Sequence, residues 1–226
     1  MDLYSKRREI AFEYLKGEGI EVGPLNAPLE VPPGVKVHYI DRMSVGDLRK
    51  HYPELADVNL AEVDIIDDGE TLSSIQDNSW DFVIANHMIE HCQNPIGALV
   101  NFLRVVKPEG IVYMGVPDKR HTFDRDRPLT SLEHLIRDYK EGPEWSRIAH
   151  YYEYVRLVDK FPEAQVADRM QHLLDIDYSI HFHVWTAETF SELLKYCQKN
   201  LFLGFEIKLF QKNFGELIVI LRKMTN

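Results

Sequence analysis

The 226-residue chain is acidic, with a formal net charge of −10, and 45% of its residues are hydrophobic. This charge argues against nucleic acid or an anionic membrane as the main partner, because both bind basic surfaces. Cys92 and Cys197 are too few for a disulfide framework, the start lacks the apolar core of a signal peptide, and no apolar run approaches the ~18 residues that cross a membrane. The composition therefore predicts a cytoplasmic protein of one domain, residues 1–226, without membrane insertion.

Hydrophobic patterning predicts that strands and helices alternate over the first half of the chain. The strands are apolar runs bounded by turn residues, at 18–22, 35–41, 61–66, 80–85 and 111–116. Helices are predicted at 3–16, where apolar residues recur among charges, and after the capping residues Ser44 and Asn94, the latter followed by Pro95. This alternation is typical of an α/β fold with a doubly wound, mostly parallel sheet.

The alternation stops after the fifth strand. Residues 119–181 are rich in His, Arg, Asp and Tyr, with helical periodicity around 131–140 and 146–160. An insertion that follows the carboxyl end of a strand lies over the ligand crevice of such a sheet. We therefore predict that 119–181 is a helical lid.

The sheet is predicted to resume after this insertion. Thr186 is placed to cap a helix that runs to about residue 199. Two apolar strands, 204–210 and 216–221, are separated by a short turn and predict an antiparallel hairpin. The hairpin would bring the sheet to seven strands.

The first two strands indicate a nucleoside-binding site. The first runs into a tight turn at Gly23, and the second ends on Asp41, about 20 residues later. In open α/β sheets this spacing places the turn near the ligand and lets the acid accept hydrogen bonds from ribose hydroxyls. Because the turn has one glycine and Pro24 has no N–H to donate, a ribose-containing cofactor without a phosphate is favoured over a pyrophosphate.

Two stretches resemble a known enzyme family. Residues 77–91, DNSWDFVIANHMIEH, are similar to the fourth strand and following loop of the type 11 methyltransferase-domain group. Residues 103–110, LRVVKPEG, are similar to the helix and turn before its fifth strand. The chain thus resembles the class I S-adenosylmethionine-dependent methyltransferases, which have a Rossmann-like sheet. The resemblance implies S-adenosylmethionine as cofactor. By position it also implies the cofactor-binding residues Glu21, Gly23, Asn26, Asp41 (ribose), Asp68 and Gly69 (adenine), and Asn86.

The insertion carries a second resemblance. Residues 117–128 and 180–185 are similar to methyltransferase-like proteins associated with surface-polysaccharide biosynthesis. This implies a small-molecule or glycan acceptor that is methylated on a hydroxyl. The alternatives are an NAD(P)-dependent oxidoreductase, which the missing glycines disfavour, and a non-enzymatic protein that binds or senses the cofactor.

Histidines are the candidate catalytic residues, because a hydroxyl acceptor needs a base or a metal to remove its proton. His91 follows the fourth strand on the cofactor side. His121 follows the fifth strand and lies near Asp118, which could orient it as a base. Both histidines could instead be structural, His91 by bonding a loop backbone and His121 by lying in a solvated loop.

A divalent metal is an alternative way to activate the acceptor. His181 and His183 are separated by one residue, so in an extended segment both would project to one face. With Asp118 or His121 opposite, they could bind a metal ion. An aromatic-rich edge in which both histidines are hydrogen-bonded is favoured, so no metal ligand is assigned.

Residues 87–91 also match H-x-x-E-H, the inverted zinc-peptidase motif. On a helix, His87 and His91 would share a face and could bind zinc. The motif follows a strand, and Asn94 begins a new helix three residues after it. The space is too short for the helix that a peptidase uses, so this alternative is disfavoured.

Overall fold

Seven strands form one sheet in the computed structural model, which describes residues 2–225. The strands are β1 (Glu18–Val22), β2 (Lys36–Asp41), β3 (Ile65–Ile66), β4 (Trp80–Asn86), β5 (Val106–Pro117), β6 (Phe205–Asn213) and β7 (Glu216–Lys223). Their order across the sheet is β3-β2-β1-β4-β5-β7-β6. Strands β1 to β5 are parallel to one another, and β7 is antiparallel to both β5 and β6. The predicted α/β fold with a mostly parallel, seven-stranded sheet is confirmed.

Seven α-helices accompany these strands within residues 2–225. They are α1 (Leu3–Tyr14), α2 (Val45–His51), α3 (Pro95–Val105), α4 (Leu132–Glu141), α5 (Glu144–Leu157), α6 (Glu163–Asp175) and α7 (Ala187–Asn200). The predicted caps are confirmed, since Ser44 accepts the N–H of Asp47 and Asn94 accepts that of Gly97. Four short 3-10 helices lie at Pro53–Leu55, Ile89–His91, Lys119–His121 and Phe123–Asp126. In this described part of the chain, no helix combines the length and apolarity that crossing a bilayer requires.

The third strand is shorter than predicted. Only Ile65 and Ile66 pair with β2, whereas 61–66 was the predicted span. At Asp64 the backbone N–H still donates to the Tyr39 carbonyl at 2.9 Å, but the Tyr39 N–H donates to the Asp64 side chain at 2.8 Å where a regular strand would offer a backbone carbonyl. The fifth strand is longer than predicted. It begins at Val106 instead of residue 111, and α3 ends at the residue before it without an intervening loop.

Both faces of the sheet are covered by helices, and successive side chains of β4 alternate between the two buried faces. Val83 and Ala85 belong to a core formed with α3 and α7, while Phe82 and Ile84 belong to a second core formed with α1. A strand buried on both faces appears in the sequence as a continuous apolar run, which is how β4 was predicted.

The segment between β5 and α7 has a small core of its own. Its helices α5 and α6 pack through Tyr151, Val155, Val166 and Leu173, and Phe182 closes this cluster. The predicted helices at 131–140 and 146–160 correspond to α4 and α5, whereas α6 was not predicted. The segment therefore folds as a helical unit against the end of the sheet.

A buried ion pair joins α1 to the sheet. Arg7 is 7% exposed and Glu216, the first residue of β7, is 1% exposed. Arg7 Nε donates to Glu216 Oε1 at 2.8 Å, with a second bond from its Nη2 to Oε2. The Tyr113 hydroxyl also donates to the Arg7 carbonyl, at 3.0 Å. These polar contacts fix α1 over the end of the sheet.

Replacing Arg7 with methionine is expected to lower the free energy of unfolding by about 3 kcal/mol, because the buried charge of Glu216 would lose the guanidinium that binds both of its oxygens. Arg8→Met is the matched control, since Arg8 pairs with Glu30 on the surface and such pairs contribute about 1 kcal/mol or less. Urea unfolding of both variants measures the difference. Equal losses would contradict the assigned importance of the buried pair.

Candidate active site

A cavity of about 360 Å³ opens at the carboxyl ends of the central strands. Val22 and Gly23 border it at the end of β1, Asp41 at the end of β2, and His87 just after β4. The strand order reverses here, since β2 lies on one side of β1 and β4 on the other. Open α/β sheets bind ligands at such positions, and the volume suits a small molecule.

Four of the predicted cofactor residues meet in this cavity, namely Gly23, Asp41, Asp68 and Gly69. Gly23 has φ +61°, in the left-handed region that favours glycine, and its N–H donates to the Ile40 carbonyl at 2.8 Å. Asp41 is 9% exposed, and burial raises the pKa of its carboxyl although the N–H groups of the next two residues oppose the rise. An acid placed beside a tight turn in this way can accept hydrogen bonds from a ribose.

The other three predicted cofactor residues, Glu21, Asn26 and Asn86, do not line the cavity. Glu21 is buried beneath the turn, where its two carboxylate oxygens accept the N–H of Leu29 at 3.0 and 3.1 Å. Burial raises the pKa of Glu21 to about 7. Asn86 is half-buried at the end of β4 and Asn26 is exposed. Glu21 thus shapes the turn, and direct cofactor contact by these three residues stays a prediction.

His91, the first predicted catalytic residue, lines the cavity. Its Nδ1 lies 3.0 Å from the Ser179 hydroxyl. Burial lowers the pKa of His91 to about 3, so the ring is neutral at physiological pH. The ring can exchange a hydrogen bond, but it is a weak proton acceptor.

Asp118 and His121 lie outside the cavity. The Asp118 carboxylate accepts two bonds from the Arg120 guanidinium, at 2.8 and 2.5 Å, and caps the 3-10 helix that contains His121. His121 is exposed beside Gly215, in the turn between β6 and β7. The predicted Asp118–His121 pair is therefore not formed, because a neighbouring arginine occupies the acid.

His87 is the cavity residue that sequence reasoning missed as a catalytic candidate. It follows β4 with φ +50°, and its N–H donates to the Gly115 carbonyl at 2.8 Å. The side chain is 41% exposed and borders the cavity. Its Nε2 lies 2.8 Å from Glu216 Oε2, while its Nδ1 lies 3.5 Å from Glu90 Oε1.

The environment of His87 favours its protonated form. Burial by itself lowers the pKa of His87, but the hydrogen bond to Glu216 and the nearby Glu90 raise it above the usual value. Glu216 stays ionised, since its bonds to Arg7 and His87 outweigh its burial and lower its pKa to about 2. The arrangement is a carboxylate–imidazole pair at the edge of a ligand-sized cavity.

Residues 177–179 reach across the cavity from the segment between β5 and α7. Arg42, next to Asp41, donates to the Asp177 carboxylate at 2.9 Å, and the Tyr178 hydroxyl donates to Glu54 at 2.8 Å. Both Asp177 and Tyr178 line the cavity. The segment therefore closes one side of the site, and its action as a moving lid stays a prediction.

Comparison with protein families decides what kind of domain holds this cavity. A family model described as a methyltransferase domain matches residues 39–114, from the second half of β2 through most of β5. The chain contains a methyltransferase domain. No curated protein sequence matches this chain.

Solved structures of low sequence identity share the methyltransferase fold. An S-adenosylmethionine-dependent methyltransferase from Methanosarcina mazei is 14% identical, with a TM-score of 0.51 over 95% of this chain and 96% of the other. The Haloferax volcanii protein solved with the Trm112 methyltransferase activator is 13% identical, with a TM-score of 0.54 over 99% and 90%. A Rhodobacter sphaeroides protein provisionally assigned to the zinc-dependent alcohol dehydrogenases is also 13% identical, with a TM-score of 0.52 over 97% and 90%.

Similarity of fold alone does not separate methyl transfer from other chemistry. The domain match supplies that distinction, and it covers the end of β2, all of β4 and the cavity residues Asp41, Asp68 and His87. Together the two findings confirm the prediction of a class I S-adenosylmethionine-dependent methyltransferase. The cavity fits this cofactor, because acids and a close backbone turn face the space where a ribose and a sulfonium would lie.

The structure separates the two histidines that were predicted to share a face. His181 Nδ1 lies 2.6 Å from Asp124, whereas His183 Nε2 lies 3.5 Å from Asp138. The two histidines of the methyltransferase thus belong to two separate clusters of ionisable side chains. Alternation requires a strand, and residues 177–186 have irregular backbone. Neither Asp118 nor His121 belongs to either cluster.

The H-x-x-E-H stretch does not form a zinc-peptidase helix. Only residues 89–91 are helical, as a single 3-10 turn, and the left-handed backbone at His87 precludes a helical face shared with His91. This agrees with the expectation from the sequence that the spacing leaves no room for a long helix.

Asp41→Asn is expected to weaken S-adenosylmethionine binding to the methyltransferase at least tenfold, because the amide replaces one of the two oxygens that can accept ribose hydroxyl bonds and removes the charge. Isothermal titration calorimetry gives the dissociation constant. Asp57→Asn, a change at an exposed acid that does not line the cavity, is the control and should bind normally. Unchanged affinity in Asp41→Asn, with an unchanged melting temperature, would remove Asp41 from the cofactor site.

Proposed function

We propose that this methyltransferase transfers a methyl group to a hydroxyl of a sugar or glycan-linked acceptor, in cytoplasmic polysaccharide biosynthesis. The observation that carries the proposal is the pair formed by His87 and the ionised Glu216 at the cavity. A hydroxyl is a poor nucleophile until its proton is removed, and an imidazole held by a carboxylate can remove it. A neutral amine is nucleophilic without loss of a proton, so such a base is needed less for an amine acceptor than for a hydroxyl.

The remaining cavity walls suit a polyhydroxylated acceptor. The side that residues 177–182 close has aromatic rings and charged groups close together, as a sugar ring needs for stacking and for hydrogen bonds to its hydroxyls. These residues are Arg42, Tyr52, Glu54, Tyr151, Asp177, Tyr178 and Phe182. The cavity thus supports the class of acceptor that the resemblance of the insertion implies.

In the proposed reaction each side chain has a defined part. S-adenosylmethionine, when bound, supplies an electrophilic methyl group. Asp41 would hold its ribose and so align the methyl carbon with the acceptor oxygen. His87, whose Nε2 is bound to Glu216, would take the hydroxyl proton on Nδ1. Glu216 then stabilises the imidazolium, and Arg7 keeps Glu216 ionised.

The acceptor class is tested with S-adenosylmethionine that carries an isotopically labelled methyl group. The enzyme is incubated with sugar nucleotides, lipid-linked sugars and, for comparison, amines and carbon acids. We expect a labelled methyl ether on a sugar, identified by mass spectrometry of the product and of its fragments. Label on nitrogen or carbon, or cofactor binding without transfer to any sugar, would refute the proposal.

His87→Gln is expected to lower kcat at least ~100-fold while S-adenosylmethionine affinity stays the same, because the base is lost and the cofactor contacts remain. In the unaltered enzyme kcat/KM should rise with pH through the pKa of His87, above 6.5, since only the neutral ring accepts a proton. Glu216→Gln removes the group that raises this pKa, so the rising limb should move to lower pH.

The control for His87→Gln is His172→Gln, which changes an exposed histidine on α6 away from the cavity. Rates are measured across pH 5 to 9 with the melting temperature of each variant recorded. A His87→Gln enzyme with normal kcat, or a pH profile that Glu216→Gln leaves in place, would exclude His87 as the base.

A further inference from the structure

A second histidine-rich cluster lies outside the cavity, between α4, α5 and the chain that precedes α7. It consists of His134 and Asp138 on α4, His150 on α5, and His183. His134 is half-buried and the other three are buried. None of the four lines the cavity, and none has a part in the proposed reaction.

The ligand atoms of this cluster lie at distances that fit a tetrahedral metal ion. Metal bonds of ~2.0–2.2 Å place neighbouring ligand atoms of a tetrahedron about 3.3–3.6 Å apart. His134 Nε2 is 3.1 Å from His150 Nε2 and 3.3 Å from Asp138 Oδ2, while His183 Nε2 is 3.5 Å from Asp138 Oδ2. All four ligand atoms lie within 4.8 Å of one another.

The buried polar atoms of the cluster are incompletely satisfied by the protein. Asp138 is 0% exposed, and its Oδ2 has no hydrogen-bond partner of good geometry within residues 2–225. Its other oxygen accepts the Ser146 hydroxyl at 3.1 Å, which orients the carboxylate toward the histidines. A carboxylate buried among three imidazoles needs a cation, because an uncompensated buried charge is costly.

We propose that His134, Asp138, His150 and His183 bind one Zn²⁺ ion. Three imidazole nitrogens and one carboxylate oxygen are a zinc ligand set, and four protein ligands leave no open position for a substrate. The site is therefore structural. His134 and Asp138 lie four residues apart on one face of α4. The ion would link them to His150 on α5 and to His183 in the chain before α7.

The zinc ion would hold the wall of the active site in place. His183 lies next to Phe182 and four residues after Ser179, both of which line the cavity. Binding His183 to α4 and α5 fixes this wall to the helices of the same segment. Loss of the ion should therefore loosen the segment between β5 and α7 without removing the sheet.

The first test is the metal content of the full chain after any affinity tag is removed. Inductively coupled plasma mass spectrometry should find about one zinc per chain in the unaltered protein. Asp138→Asn and His150→Gln should each reduce this at least fivefold, while His172→Gln, an exposed histidine change on the same segment, should not. Full zinc occupancy in Asp138→Asn and His150→Gln would overturn the proposal. That result would also be seen if zinc were bound by Glu90, His91 and His181 instead.

The second test uses the unaltered protein and so does not depend on how the variants fold. Zinc is removed with a chelator and Co²⁺ is added as a spectroscopic probe, for which we expect the intense visible absorption of tetrahedral Co²⁺. Returning Zn²⁺ at about 100-fold above its dissociation constant should raise the melting temperature by roughly 5 °C or more. Metal-free protein that gains neither absorption nor thermal stability would also overturn the proposal.

Discussion

The buried carboxylate of Glu216 determines how the active site is assembled. It lies at the start of β7 and is held by Arg7 from α1 and by Asn213 from β6. The same carboxylate binds His87 at the end of β4. An unpaired charge in this position would be costly. The pairing of Glu216 therefore fixes α1, the terminal hairpin and the cavity relative to one another. The first helix and the last strands of the chain thus set the position of the residue that we place at the centre of catalysis.

This network continues from the sheet into the helical segment. His87 faces Glu90, which is fully buried and lies 3.9 Å from His181, and His181 is bound to Asp124. Carboxyl and imidazole side chains therefore lead from the cavity edge of the sheet to the segment that closes the cavity. His87 and that segment therefore share one buried neighbour, because Glu90 lies between His87 and His181.

Local patterns predicted most of the fold and one part of the site. The caps at Ser44 and Asn94 could be predicted because capping bonds act within one helical turn. The apolar run of β4 could be predicted because the strand is covered on both faces. Asp41 could be predicted as a cavity residue because it ends a strand next to β1, and strand ends meet at one edge of a sheet. By contrast, Asp118 was misjudged as the partner of His121, since sequence proximity does not show that Arg120 occupies its carboxylate.

By itself the sequence determined the alternation of strands and helices, the terminal hairpin and the acid at the end of β2, because hydrophobic period, capping and turn chemistry act over a few residues. Only the tertiary structure decided that His87 faces the cavity and is paired with Glu216, which lies 129 residues further along the chain. It alone also assigned His181 and His183 to different clusters, because an irregular backbone lets neighbouring side chains point to different partners. Contacts between distant residues depend on how the whole sheet closes, and no local pattern records them.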